Sequence, residues 1–234
     1  MAPPVVPLSA RGLAPPEAVI FDFDGVIVDT EPIHWQAFRE VLAPLGIPFP
    51  WDEYVERYMG FDDRDAFREA FRVHGRSLAG EPLAELIAAK SLAFQEILRA
   101  GVRPFPGAIP LIESIHLRGI PLAISSGALR SDIDPILATL GIAGCFARIV
   151  SADEVEKSKP DPESYRLAWS DLVRRFPGML TSPGNSLAIE DTPAGIRSAK
   201  GVGLSVLAVA GSYRREELSE ADTVVDSLEA VRIG

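Results

Sequence analysis

Ala18-Val19-Ile20-Phe21-Asp22-Phe23-Asp24-Gly25-Val26 is the stretch that decides how this chain is read. Four apolar or small residues lead into two aspartates two positions apart, and glycine follows the second. Residues two apart on a strand point to the same face, so two carboxylates end this strand on one side of the pleat. Like charges that close repel, and each raises the pKa of the other. A divalent cation relieves that repulsion. The stretch therefore points to a hard metal, with a carboxylate nucleophile beside it.

Working outward, further apolar runs read as buried strands at 120–125, 147–150, 186–190 and 205–209, with a last short one at Thr223-Val224-Val225. Helical segments lie between them. Asp161-Pro162 and Thr192-Pro193 each set a capping residue before a proline of the first turn. Gly119 and Gly141 stand where helices would end in a left-handed residue. Repeated strand–helix–strand units predict an α/β fold, a Rossmann-like doubly wound parallel sheet with helices on both faces. Active sites of such sheets lie at the carboxyl ends of the strands, where Asp22 and Asp24 fall.

One interval breaks the alternation. Between 33 and 103 the apolar residues follow helical spacing: Ile33, Phe38, Val41, Leu42 and Leu45; then Phe67, Ala70 and Phe71; then Leu83, Leu86, Ile87, Phe94, Ile97 and Leu98. This predicts an all-helical domain over 33–103, inserted into an α/β core of 17–32 and 104–234. Arg103-Pro104-Phe105-Pro106-Gly107 reads as the return hinge. Residues 1–16, rich in Pro and Ala, are expected to form a flexible or extended tail.

Composition narrows the function classes. A net charge of -10 argues against general nucleic-acid binding, which needs clustered Lys and Arg on phosphates, but leaves room for a small phosphorylated metabolite in a local positive pocket. A single cysteine, Cys145, excludes an internal disulfide and a cysteine zinc cluster. No apolar run reaches the ~18–20 residues of a membrane span, and residues 1–16 lack the basic start and apolar centre of a signal peptide. The expectation is a cytoplasmic protein without membrane partners, a monomer or weak homo-oligomer.

Three further features close buried strands or open helices. Ile124-Ser125-Ser126-Gly127 offers hydroxyls and backbone N–H groups to a phosphoryl oxygen. Lys157-Ser158-Lys159-Pro160-Asp161-Pro162 fixes Lys159 at a loop–helix junction, because a residue before proline is held extended. Ile189-Glu190-Asp191-Thr192-Pro193-Ala194-Gly195 ends a strand in two more acids. Together Asp22, Asp24, Glu190 and Asp191 supply oxygen ligands suited to Mg²⁺. Ser125, Ser126 and Lys159 supply the complementary phosphate contacts.

With these motifs in this order, the chain resembles the haloacid dehalogenase-like superfamily over about residues 17–230. Within it, the chain is similar to the subgroup with a helical cap between the first two motifs, which includes β-phosphoglucomutase and small sugar-phosphate phosphatases. The resemblance implies that Asp22 attacks phosphorus and carries an aspartyl-phosphate. It makes Asp24 the general acid–base and a metal ligand through its carbonyl, Asp191 a direct ligand and Glu190 a direct or water-mediated one. It makes the helical domain a substrate-selecting cap. His34 stands where mutase-like members have a histidine supporting the acid–base, and Lys90 matches a cap lysine. Gly60-Phe61-Asp62-Asp63-Arg64 matches a cap loop in which the mutase holds a second phosphate with arginine; here Asp63 takes that place and Arg64 follows. Trp51, Met59 and Phe61 are expected in the cap core. The presence of Asp24 favours phosphoryl over carbon–halogen chemistry. The expected activity is a Mg²⁺-dependent phosphatase, with a phosphomutase or a non-catalytic regulatory protein on the same fold as alternatives.

Overall fold

The computed structural model of the protein describes residues 6–8, 15–59, 61 and 63–233. The chain divides into two compact units. One runs up to Asp29 and resumes at Arg103; the other is Thr30–Val102.

The second unit holds four helices, and no strand among its described residues. They are α1 (Glu31–Leu42), α2 (Trp51–Glu53, continuing as a wider π-helical turn over Tyr54–Tyr58), α3 (Asp63–Val73) and α4 (Glu81–Leu98). Both α1 and α4 begin with an acid followed by proline, which suits the positive end of the helix and the position where a backbone N–H would have no partner. Their apolar faces meet around Phe38, Phe49, Tyr54, Tyr58 and Phe67. Trp51 and Phe61 do not belong to this core: they are 40% and 47% exposed. Phe49, Tyr54 and Tyr58 already stack on one another and fill the interior. Trp51 instead meets Trp35 edge-on at 5.4 Å, and both line a surface cavity of about 720 Å³. Met59 packs against the core from its margin. Gly60 and Asp62, of the expected cap loop, lie outside the described residues.

The first unit carries the strands β1 (Val6–Leu8), β2 (Val19–Phe21), β3 (Val28–Asp29), β4 (Arg103–Pro104), β5 (Leu122–Ser125), β6 (Arg148–Val150), β7 (Leu187–Glu190), β8 (Ser205–Val209), β9 (Thr223–Val225) and β10 (Val231–Ile233). Its helices are α5 (Ala108–Leu117), α6 (Arg130–Thr139), α7 (Glu163–Arg175) and α8 (Pro193–Val202). Six strands form one sheet in the order β6-β5-β2-β7-β8-β9, parallel throughout. Each apolar run read from the sequence as a strand contributes one of these six. The strands from β5 to β8 are buried along almost their whole length, as parallel strands covered on both faces must be. Of the Pro/Ala-rich residues 1–16, Val6–Leu8 pairs in parallel with Val231–Ile233.

The register fixes where chemistry can occur. Phe21 pairs with Ile124 on one side and Ile189 on the other. One step further along the three strands stand Asp22, Ser125 and Glu190, level with one another at the carboxyl edge. The strand order also reverses beside β2, and such a reversal opens a crevice at that edge.

Candidate active site

Asp22 leaves β2 with its backbone N–H still bonded to Ile189 O at 2.9 Å, so the strand pairing aims it directly. The chain then turns sharply. Ile27 and Val28 donate back to Phe23 O, and Asp24 bridges to Val28. Gly25 sits in this turn at φ +82°, where a Cβ would lie 2.0 Å from Asp191 Oδ2. Both the left-handed backbone and the close approach of the acid require glycine there.

Lys159 is placed from the opposite side. The loop before it is tied to α7, because Glu156 N and Lys157 N donate to the Glu163 carboxylate. Asp161 Oδ1 accepts from Glu163 N, and Asp161 O accepts from Ser198 Oγ at 2.6 Å. Held this way, Lys159 Nζ donates to Asp22 Oδ1 at 2.7 Å, Glu190 Oε1 at 2.6 Å and Ser125 O at 3.0 Å. All three ammonium protons are used.

Glu190 is fully buried at the end of β7. Its second oxygen, Oε2, accepts from Asp191 N, Thr192 N and Thr192 Oγ1 at 3.1–3.3 Å. Thr192 caps α8 by accepting from Gly195 N at 2.9 Å, as its place before Pro193 predicts. The Glu190 carboxylate thus rests on the first turn of α8, where the helix dipole favours negative charge.

The electrostatics follow from burial. Asp22 is pushed up to about 7 by desolvation, with the charges of Glu190 and Asp24 adding to the rise and Lys159 opposing it. Burial, with Asp22 and Glu190 close by, holds Asp191 well above the usual carboxylate range. Burial alone would lower Lys159, but Asp22 and Glu190 outweigh it and raise the ammonium. One lysine does not balance this many acids. Single carboxylate oxygens of Asp22, Glu190 and Asp191 lie within 4.8 Å of one another, and Asp191 Oδ1 is buried with no hydrogen-bond partner among the described residues. An all-oxygen set with an unpartnered buried oxygen fits a hard divalent cation. Ser125 Oγ is likewise buried and unpartnered at this edge, and so is available to an incoming oxygen atom.

The structure therefore brings Asp22, Ser125, Lys159, Glu190 and Asp191 together, with Asp24 close enough for its charge to bear on Asp22. Ser126, the next residue, is tied to its own loop and to β6: its N–H donates to Val150 O and its hydroxyl accepts from Ala128 N. In the helical unit, Lys90 is buried and donates to His34 Nδ1 and Asp63 Oδ1, both at 2.7 Å, with its charge over the rings of Phe38 and Phe94. Burial, followed by the Lys90 charge, holds His34 well below the usual imidazole value. Arg64 is solvent-exposed on the first turn of α3.

Sequence reasoning missed Tyr165. It sits on α7, wholly buried, and donates to Glu190 Oε1 at 2.8 Å. Its position in an apolar helical face marks it only as core. The pairing of Asp63 with Lys90 was also hidden, since it joins two helices.

The chain is similar to several known proteins. The family pattern described as haloacid dehalogenase-like hydrolase matches residues 19–209. The protein CbbY of Rhodobacter capsulatus is 32% identical over 223 residues, spanning 92% of this chain and 94% of that protein. Validoxylamine A 7'-phosphate phosphatase of Streptomyces hygroscopicus subsp. limoneus is 30% identical over 217 residues, spanning 92% and 96%. Among solved structures, a mutant CbbY from Rhodobacter sphaeroides in complex with xylulose-1,5-bisphosphate superposes with a TM-score of 0.78 at 29% identity, covering 91% of this chain and 95% of that one.

Proposed function

The chain belongs to the haloacid dehalogenase-like hydrolase family, and from that premise we propose that it is a magnesium-dependent cytoplasmic phosphatase that hydrolyses a small phosphate monoester, a sugar phosphate, through a phosphoryl group carried on Asp22. The observation that carries this reading is the bridge from Lys159 Nζ to Asp22 Oδ1 and Glu190 Oε1, beside the unpartnered hydroxyl of Ser125. A nucleophile, a fixed cation and a free hydroxyl share one edge of the sheet.

Asp22 attacks phosphorus through a carboxylate oxygen, and the ester oxygen departs with a proton from Asp24. Asp24 then takes a proton from water, whose oxygen attacks phosphorus and releases Asp22 and inorganic phosphate. Lys159, turning toward the phosphoryl group the proton it otherwise gives Asp22, and the Ser125 hydroxyl hold the phosphoryl oxygens during both transfers, with Ser126 at the next position of the same turn. Placement and charge neutralisation are most of what such a transfer needs. Magnesium, when held by Asp22, the Asp24 carbonyl and Asp191, with Glu190 acting through water, supplies the positive charge that offsets the transferring group. The water-mediated role suits Glu190 because hydrogen bonds already occupy both of its oxygens.

The helical unit is the cap, and His34, Arg64 and Lys90 are its residues for the substrate. Asp63 spends its charge on Lys90, in the loop where a mutase needs a cation for a second phosphate. This favours hydrolysis over mutation. The relatives' names, a phosphatase and a protein crystallised with a sugar bisphosphate, support a phosphorylated sugar or sugar-like substrate.

The test is phosphate release from a panel of sugar phosphates, phosphoglycolate and nucleotides, with and without Mg²⁺. Magnesium-dependent release from one or more sugar phosphates is expected. Conversion of β-glucose 1-phosphate to glucose 6-phosphate faster than phosphate release, with glucose 1,6-bisphosphate present, would overturn the ranking in favour of the mutase.

A further inference from the structure

Tyr165 touches both halves of the ion pair at the site. Its hydroxyl donates to Glu190 Oε1 at 2.8 Å, and the face of its ring lies 4.9 Å from Lys159 Nζ. The ring itself is packed in the apolar core with Ile20, Ala123, Val150 and Ala188. The hydroxyl is thus a polar group carried by the core to the edge of the acidic cluster. A buried phenol is costly unless it finds a hydrogen-bond partner, and Glu190 is that partner.

The accounting at Glu190 gives the contact a purpose. A carboxylate oxygen has about two lone-pair sites, which its donors share. Those of Oε1 are taken by Lys159 at 2.6 Å and Tyr165 at 2.8 Å. With the tyrosine in place, Oε1 divides its charge between two donors, and Lys159 remains shared between Glu190 and Asp22. Without the hydroxyl, the whole of Oε1 would bear on Lys159. The ammonium would be drawn toward Glu190 and away from Asp22, where the phosphoryl group must be met.

Resting on the phosphatase reading above, we propose that Tyr165 is a positioning residue for phosphoryl transfer: it sets Lys159 midway between Asp22 and Glu190 by filling the second site of Oε1 and covering the ammonium with its ring. The alternative is that Tyr165 only fills space, which phenylalanine would do equally well.

Tyr165→Phe separates the two. Phenylalanine keeps the ring, its volume and its contact with the ammonium, and removes only the donor. The expected result is a kcat lowered about tenfold, the size of one lost hydrogen bond to a charged group. KM should stay within about twofold, since the cap and substrate contacts are untouched, and the melting temperature within about 3 °C. The geometry is read without turnover by the rate at which acetic anhydride acetylates Lys159, followed by peptide mass spectrometry. Exposed Lys157 serves as the internal standard. Relative to it, Lys159 should react about fivefold more slowly in Tyr165→Phe, because the neutral amine that acetylates is rarer when an undivided Glu190 carboxylate bears on the ammonium. Wild-type kcat in the variant, or an unchanged Lys159 rate, overturns the proposal. Wild-type protein and Asp22→Asn are run in parallel. If wild type releases no phosphate from any ester, the phosphatase reading falls, and the Lys159 rate alone decides the role of Tyr165.

Discussion

The carboxylate of Glu190 occupies the space in front of Gly195: a Cβ at 195 would lie 1.9 Å from Oε1 and 2.1 Å from Oε2. The acid and the helix start are therefore one packing unit, and neither can change without the other. Gly195→Ala forces Glu190 off its hydrogen bonds to Thr192, Tyr165 and Lys159. A loss of about 3 kcal/mol is expected, at the upper end for an overpacked core, together with a large loss of kcat. Urea unfolding and steady-state kinetics check both. An alanine variant as stable and active as wild type would show that the carboxylate can sit elsewhere.

Asp22→Asn removes the attacking oxygen while keeping the shape. Turnover should fall by about a thousandfold or more, as for other deleted nucleophiles, with the fold intact by circular dichroism. Retained turnover would reject Asp22 as the attacking group.

The same variant gives a stability signature with a definite sign. Asp22 is raised from 3.8 to about 7, chiefly by burial. Between those values the folded protein binds more protons than the unfolded chain, so this residue's stabilisation is full at low pH and is lost as pH rises through about 7. Burial of His34 works in the opposite sense, because a depressed imidazole favours folding above its ordinary value. That contribution is common to both proteins and cancels. Wild type should therefore lose stability relative to Asp22→Asn as pH rises from 4 to 8. Denaturant titrations at four pH values without metal measure it, and a flat difference would contradict the raised carboxyl.

Magnesium should reverse that trend. A cation bound only by the folded protein adds ~2.7 kcal/mol at a hundredfold excess over its Kd, and protons compete with it for Asp22 and Asp191. The rise in melting temperature with Mg²⁺ should be larger at pH 8 than at pH 5, and EDTA should abolish both the rise and the activity reversibly. Full activity after exhaustive chelation would remove the metal from the account.

His34 should be neutral with its proton on Nε2. Lys90 has only donors, so the Nδ1 it meets at 2.7 Å must accept. Imidazole nitrogen NMR should show this tautomer persisting well below the ordinary imidazole range, and Lys90→Met should move the titration part of the way back, burial keeping the rest. An Nδ1–H signal in the wild type would contradict the assignment.

What the sequence reveals follows the range of the forces involved. Asp22 follows one apolar run and Glu190 and Asp191 close another, and strand pairing is regular enough that two such runs, neighbours in one parallel sheet, must present their ends together. Lys159 was legible because proline and the Asp-Pro helix start fix its backbone locally. Tyr165 was not, since a hydroxyl reaching Glu190 across 25 residues leaves no local trace. The Lys90–Asp63 pair depends on how α3 and α4 pack, which spacing alone does not give. Trp51 misleads for a related reason: its hydrophobicity says core, but Phe49, Tyr54 and Tyr58 already fill it.

The central position of β2 has a consequence for how the protein is made. Val19–Phe21 leaves the ribosome before any other strand of the six-stranded sheet, yet its two neighbours begin only at Leu122 and Leu187. The nascent chain must carry an unsheltered apolar segment, tipped with acids, until most of its length has been synthesised. Such late, long-range closure makes for slow folding and for exposure to aggregation on the way.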